Sequence, residues 1–168
     1  MKELGWEIER RFLVEVNDEL WASLKGGYQL RQGYLTDTKE RSIRVRLGEP
    51  GGPVLTAKRG RGIRRSEFEC TISKEVAEEI MIAASPRIVE KVRWNLGPWV
   101  LDRFIGSLEG LIILEIELGS EEEALPEVPE SIHVVREVTE DNTYTSGSLA
   151  ALKALAQQKM VLAAYKGD

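Results

Sequence analysis

Glu7-Ile8-Glu9-Arg10-Arg11-Phe12-Leu13-Val14 alternates charged and apolar residues with a period of two. That is the period of a strand, so Glu7, Glu9 and Arg11 share one face, neighbouring members standing about 6.6 Å apart along the chain. The pattern recurs at Arg44/Arg46, Arg65/Glu67/Glu69, Lys91/Arg93 and Glu115/Glu117, with Lys58 and Asp102 in similar surroundings. Between the charges stand Ile8, Val45, Phe68, Val92 and Ile116. Each strand therefore has one ionic and one apolar face. A single such strand implies a wet outer surface. A whole sheet of them implies a charged interior, provided that the sheet closes.

Turn signals set the order of elements. Strands are expected at 5–14, 28–35, 41–47, 54–59, 64–72, 89–96, 99–104, 111–118 and, short and last, 134–138. Asn17 and Ser73 are placed to cap helices, the second running to about Ala84 before Pro86 stops it. Gly48-Glu49-Pro50-Gly51-Gly52-Pro53 separates two strands as a hairpin loop does. Gly60-Arg61-Gly62 reads as a flexible turn, too short for a phosphate cradle. A short acidic helix and a loop are expected over 121–129. A last helix is expected over 149–164, capped by Ser146 or Ser148. About eight antiparallel strands with a few inserted helices predict an α+β chain, 1–168 as a single domain, built on a closed or strongly curved sheet. Eight strands enclose a lumen that holds side chains or one small ligand.

Composition bounds the partners. With 168 residues, 42% hydrophobic and 30% charged, the chain has the make-up of a soluble globular protein. It has no apolar run near the ~18 residues of a spanning helix, and its start lacks the apolar stretch of a signal peptide. Cys70 is the only cysteine, which favours a reducing compartment, and we read the protein as cytoplasmic. A net charge of −5 argues against a nucleic-acid surface. The cations nonetheless crowd between Arg41 and Arg65, which suits a local anion site.

Burying so many carboxylates unpaired would cost several kcal/mol each, so cations must balance them. Arginine and lysine supply some of these, and an all-oxygen donor set points to Mg²⁺ or Mn²⁺ for the rest. One histidine and one cysteine cannot make the usual zinc site. Guanidinium forks match phosphate oxygens, and lysine adds a point charge. Metal carboxylates beside phosphate cations are what phosphoryl transfer requires. The plainer alternative is a set of weak ion pairs on an exposed sheet.

The chain resembles the CYTH superfamily, the triphosphate tunnel metalloenzymes. Glu7-Ile8-Glu9-Arg10-Arg11 is similar to its ExExK signature. Gln32-Gly33-Tyr34-Leu35, Arg44-Val45-Arg46, Leu55-Thr56-Ala57-Lys58, Glu67-Phe68-Glu69, Lys91-Val92-Arg93-Trp94, Leu101-Asp102-Arg103-Phe104 and Leu114-Glu115-Ile116-Glu117-Leu118 follow in the family's order, over roughly residues 5–155. The resemblance implies an eight-stranded antiparallel tunnel that binds a triphosphate with Mg²⁺ or Mn²⁺. Members include thiamine triphosphatases, inorganic and nucleoside triphosphatases, and class IV adenylate cyclases.

By motif, Glu7, Glu9, Glu115 and Glu117 are the implied metal ligands. Glu67, Glu69 and Asp102 form a second metal site or orient water, Glu69 or Asp102 being the catalytic carboxylate, with Arg11 beside them in the catalytic set. Arg11, Arg44, Arg46, Lys58, Lys91 and Arg93 clamp phosphate. The expected activity is hydrolysis of a linear triphosphate, inorganic triphosphate first and nucleoside triphosphates besides, with cyclisation of ATP or non-catalytic polyphosphate or nucleotide binding as alternatives. One departure is Arg11, which stands where the family has lysine. A guanidinium keeps its proton, so Arg11 binds phosphate but does not shuttle protons. A homodimer stays open. Of the remaining residues, His133 is expected at the surface, and Tyr34 and Tyr144 are expected to be buried with satisfied hydroxyls.

Overall fold

Strand β1 (Lys2–Val16) is long enough to serve three partners. Its residues 2–8 pair antiparallel with β5 (Arg64–Thr71), residues 9–13 with β8 (Ile112–Glu117), and residues 12–16 with β9 (Ile132–Glu137). The computed structural model describes residues 2–60 and 62–166, with side chains from residue 5 onward. Arg61, in the expected glycine turn, lies outside the described residues. The other strands are β2 (Tyr28–Asp37), β3 (Arg41–Leu47), β4 (Val54–Arg59), β6 (Ile88–Leu96) and β7 (Trp99–Phe104). They run in the order β5-β4-β3-β2-β6-β7-β8-β1. Because β5 pairs with β4 on one side and β1 on the other, eight antiparallel strands close into a barrel. The ninth, β9, pairs with β1 and stays outside the ring.

Directly paired residues point to the same side of a sheet, so the register brings the charges together. Arg11 faces Glu115, which faces Val100; Glu9 faces Glu117; Lys58 faces Glu67; Arg93 faces Asp102. Further along the same faces the residues turn apolar. Leu13, Val89, Phe104 and Ile113 join Tyr34, Tyr144, Leu149 and Ala164 in a buried cluster. This plug is completed by helices α3 (Ser146–Ala151) and α4 (Ala154–Ala164). The second cluster is on the outer face: Ile8, Phe12, Val14, Trp94, Trp99, Leu101, Leu114 and Ile116. It is covered by Leu20 and Trp21 of helix α1 (Asp18–Ser23) and by Leu125 and Val128. The polarity of an ordinary small barrel is thus inverted along part of its length. Full burial of each large apolar side chain contributes about 1.5–3 kcal/mol.

Both expected caps form: Asn17 Oδ1 accepts from Leu20 N at 2.8 Å and Ser73 Oγ from Val76 N at 3.2 Å. Ser73 starts α2 (Lys74–Ala84), which lays Ala77 and Met81 on Val45. Gly33 lets the helix approach this closely. A methyl group there would lie 2.7 Å from Met81 Sδ and 2.8 Å from Ala84 Cβ. Gly33→Ala is therefore expected to destabilise by about 1–3 kcal/mol through overpacking, measured by urea unfolding; an unchanged midpoint would mean that α2 shifts freely.

The C-terminal half departs from expectation in two places. No helix forms over 121–129; that stretch is a strap, held where Trp99 Nε1 donates to the Glu127 carbonyl at 3.1 Å. Its clustered glutamates lack an apolar stripe to bury, whereas Leu125 and Val128 do pack. The last helix is two. Thr145, rather than Ser146 or Ser148, caps α3 by accepting from Ser148 N at 3.2 Å. The chain then breaks at Leu152–Lys153, and Gln157 Nε2 from α4 satisfies the Leu149 carbonyl at 2.8 Å. Among the described residues no helix is long and apolar enough to cross a membrane.

Candidate active site

The ionic faces enclose a cavity of about 240 Å³. Six of the seven expected carboxylates line it: Glu7, Glu9, Glu67, Glu69, Glu115 and Glu117. So do all six expected cations: Arg11, Arg44, Arg46, Lys58, Lys91 and Arg93. The seventh carboxylate, Asp102, is completely buried and fully engaged. Its Oδ2 lies 2.6 Å from Lys91 Nζ, and Arg93 donates to both oxygens at 2.7 and 2.8 Å. Burial alone would push the Asp102 carboxyl up, but Lys91 and Arg93 hold it below the usual carboxylate range. Burial likewise opposes the Arg93 charge, and Asp102 more than compensates, raising its pKa. Asp102 anchors two cations.

The opposite wall has its own ion-pair chain. Lys58 Nζ bridges Glu7 at 2.8 Å and Glu67 at 3.2 Å, while Arg65 Nη2 sits 3.2 Å from Glu7 and 3.7 Å from Glu9. Arg11 Nη2 donates to the Thr139 carbonyl at 3.1 Å, which ties the lumen to the turn after β9. Glu69 accepts from the Thr56 hydroxyl at 3.1 Å.

Two arginines are left wanting an anion. Arg44 Nε is buried with no hydrogen-bond partner. Burial works against the Arg44 charge, but Tyr34 and Glu7 lift its pKa. Arg46 makes no side-chain hydrogen bond or ion pair among the described residues. Its pKa is lowered by burial and by repulsion from Arg44 and Arg93. Two carboxylates are in the mirror-image position. Burial, then Glu9 and Asp102, raise the Glu115 pKa; burial, then Glu7, Glu67 and Glu9, raise that of Glu117. An oxygen-seeking divalent cation fits this donor set and would relieve its repulsion. As they stand, no three acidic side chains among the described residues converge closely enough to hold one. Cations and carboxylates thus line one cavity together.

Arg65, which shares the spacing-two pattern with Glu67 and Glu69, lines the cavity as that pattern suggested, whereas sequence reasoning passed over several other lining residues. Asp37 lines the cavity at the end of β2, past a register shift between Tyr34 and Thr36 that breaks the alternation. Burial raises its pKa, with Arg65 and Arg87 pulling the other way. Thr145, Ser146 and Gly147 arrive from the N-cap and first turn of α3, three residues ahead of the helix start expected at Leu149. Of the tyrosines, Tyr34 is buried, lines the cavity and accepts from Gln32 Nε2 at 3.2 Å. Tyr144 is buried in the plug, its hydroxyl accepting from Arg136 at 2.8 Å. His133 is exposed on β9.

No family model matches the chain. Over 152 residues it is 36% identical to a protein of Acetivibrio thermocellus named inorganic triphosphatase, covering 87% of this chain and 94% of that one. Over 153 residues it is 38% identical to another of that name from Nitrosomonas europaea, covering 86% and 96%. The crystal structure of an inorganic triphosphatase matches with a TM-score of 0.57 at 32% identity, over 88% of this chain and 95% of that one. Near-complete alignment with these relatives, on a closed barrel whose lumen is charged, shows that the chain belongs to the inorganic triphosphatase family, within the CYTH superfamily.

Proposed function

We propose that this protein hydrolyses inorganic triphosphate to pyrophosphate and orthophosphate with the help of a divalent cation, Mg²⁺ or Mn²⁺. The observation that carries the reading is one small cavity in which anion-seeking arginines, Arg44 and Arg46, face repelling carboxylates, Glu115 and Glu117. Its lining favours the inorganic substrate: among the described residues Tyr34 is the one aromatic that lines it.

Glu9, Glu115 and Glu117, with Glu7 and Glu67 once Lys58 and Arg65 turn to phosphate, are the residues that would hold metal. A divalent cation bound there supplies charge neutralisation at the phosphate oxygens. Arg44, Arg46 and Arg11 bind the phosphate chain, and Arg11 keeps its proton throughout. Lys91 and Arg93, fixed by Asp102, hold the chain in line for attack. Water attacks the terminal phosphorus, the bridging P–O bond breaks, and pyrophosphate leaves. Glu69, with the oxygen that Thr56 does not occupy, takes the water's proton. We assign Asp102 no such role, its two oxygens being held by Lys91 and Arg93.

The test is incubation with triphosphate, ATP and thiamine triphosphate plus Mg²⁺ or Mn²⁺. Orthophosphate from triphosphate, well above the other two, is the expected result; pyrophosphate with cyclic AMP would replace hydrolysis by cyclisation, and binding without turnover would leave a binding module.

Metal binding also has a pH signature. Glu115 and Glu117 have raised pKa values, so folding favours their protonated forms. Their contribution to stability is present at low pH and lost as pH rises through the raised values. Mg²⁺ at about 100 times its Kd stabilises by about 2.7 kcal/mol, and its effect on melting temperature should be larger at pH 8 than at pH 5. Equal shifts at both pH values would remove these two glutamates from the metal site.

A further inference from the structure

A second cavity, of about 290 Å³, abuts the first and shares Arg11, Asp37, Ser42, Lys58, Arg65 and Thr145 with it. Its remaining walls come from the β2–β3 turn (Thr38, Lys39), Arg41 at the start of β3, the glycines at 60 and 62, Asn142, and Ser148 of α3. The two chambers differ in charge. In the first, carboxylates and cations are equal in number, as a metal-plus-polyanion site demands. In the second, Arg11, Lys39, Arg41, Lys58 and Arg65 face Asp37 as the one carboxylate. A chamber with this lining has a single described carboxylate to offer a divalent cation, and although Lys58 and Arg65 are already paired with Glu7, Glu9 and Glu67, its cations outnumber that carboxylate and stand beside hydroxyl and amide donors. Its size admits a small tetrahedral oxyanion.

We propose that this side chamber is a metal-independent orthophosphate site that receives the phosphate released next door. The proposal rests on the triphosphatase reading for the source of the phosphate. Arg11, Lys58 and Arg65 belong to both chambers, so a phosphate group passes between them without leaving cationic contact. Arg41 and Lys39 line the side chamber alone, which separates the two sites experimentally.

The experiment is titration of the metal-free protein with inorganic phosphate in EDTA, followed by calorimetry and phosphorus NMR. Binding is expected with a Kd of about 1 mM, the scale set by a few partly solvated charge contacts. Arg41→Gln should weaken it about tenfold, the loss of one charge-assisted contact, while kcat/KM for triphosphate changes less than twofold. With Mg²⁺ present, orthophosphate should inhibit wild-type hydrolysis in a mixed rather than competitive manner, and Arg41→Gln should lose the uncompetitive component. Absence of metal-free binding, unaltered binding in Arg41→Gln, or strictly competitive inhibition would each overturn the assignment. So would an Arg41→Gln variant with normal phosphate binding but a raised KM for tetrapolyphosphate, since the chamber would then hold substrate. The metal-free titration involves no turnover, so it fails or succeeds independently of the hydrolase activity.

Discussion

Asp102→Asn is expected to destabilise the protein by about 3–5 kcal/mol, because it leaves buried cations without their counter-charge. Lys91 is 2% exposed and Asp102 0%, so water cannot take over. At about 2–4 °C per kcal/mol for a chain of this size, the melting temperature should fall by about 6–20 °C. The wild-type pair also sets an acid limit. Asp102 is held below its ordinary pKa, so its contribution is full above the unfolded carboxylate range and disappears as pH falls through the lower, folded value. Asp102→Asn should flatten that acid limb. Triphosphate, by giving Lys91 and Arg93 another anion, should restore part of the lost stability, a rescue visible by differential scanning calorimetry. A variant that melts like the wild type would show that Lys91 and Arg93 need no internal anion.

Glu115→Gln should act in opposite directions on activity and stability. On the metal role proposed for Glu115, loss of its carboxylate is expected to reduce phosphate release at least about 100-fold, since even groups supporting metal ligands cost 10–100-fold. In the metal-free protein the same change removes a buried charge that Glu9 and Asp102 repel. The melting temperature should therefore rise, by about 2–4 °C for each kcal/mol relieved. A variant that is both inactive and less stable would assign Glu115 a structural role and remove it from the metal site.

The parts of this molecule that were legible in the sequence are those where spacing alone determines geometry. Glu7, Glu9 and Arg11 share a face whatever strand lies beside them, and the same holds for Lys91 with Arg93 and Glu115 with Glu117. Closure was inferred because those faces needed an interior. What stayed hidden depends on register between distant strands. Asp102 has the same spacing whether it ligates metal or anchors cations, and only register reveals that it stands opposite Arg93 and beside Lys91. Asp37 fell past an irregularity in β2, where alternation no longer predicts direction. The break between α3 and α4 was invisible because leucines and alanines continue through it at helical spacing.

Beyond the Lys91–Asp102–Arg93 cluster, the apolar cohesion of this barrel lies outside its charged lumen. The ring is gripped from outside, by Trp99, Leu101, Leu114 and their neighbours under the α1 and strap cover, and closed below by the plug. Lumen charges can therefore be exchanged in balanced pairs, cation with anion, without loosening the hoop that surrounds them. Such a scaffold is free to drift from one phosphate ester or anhydride to another while its architecture stays put.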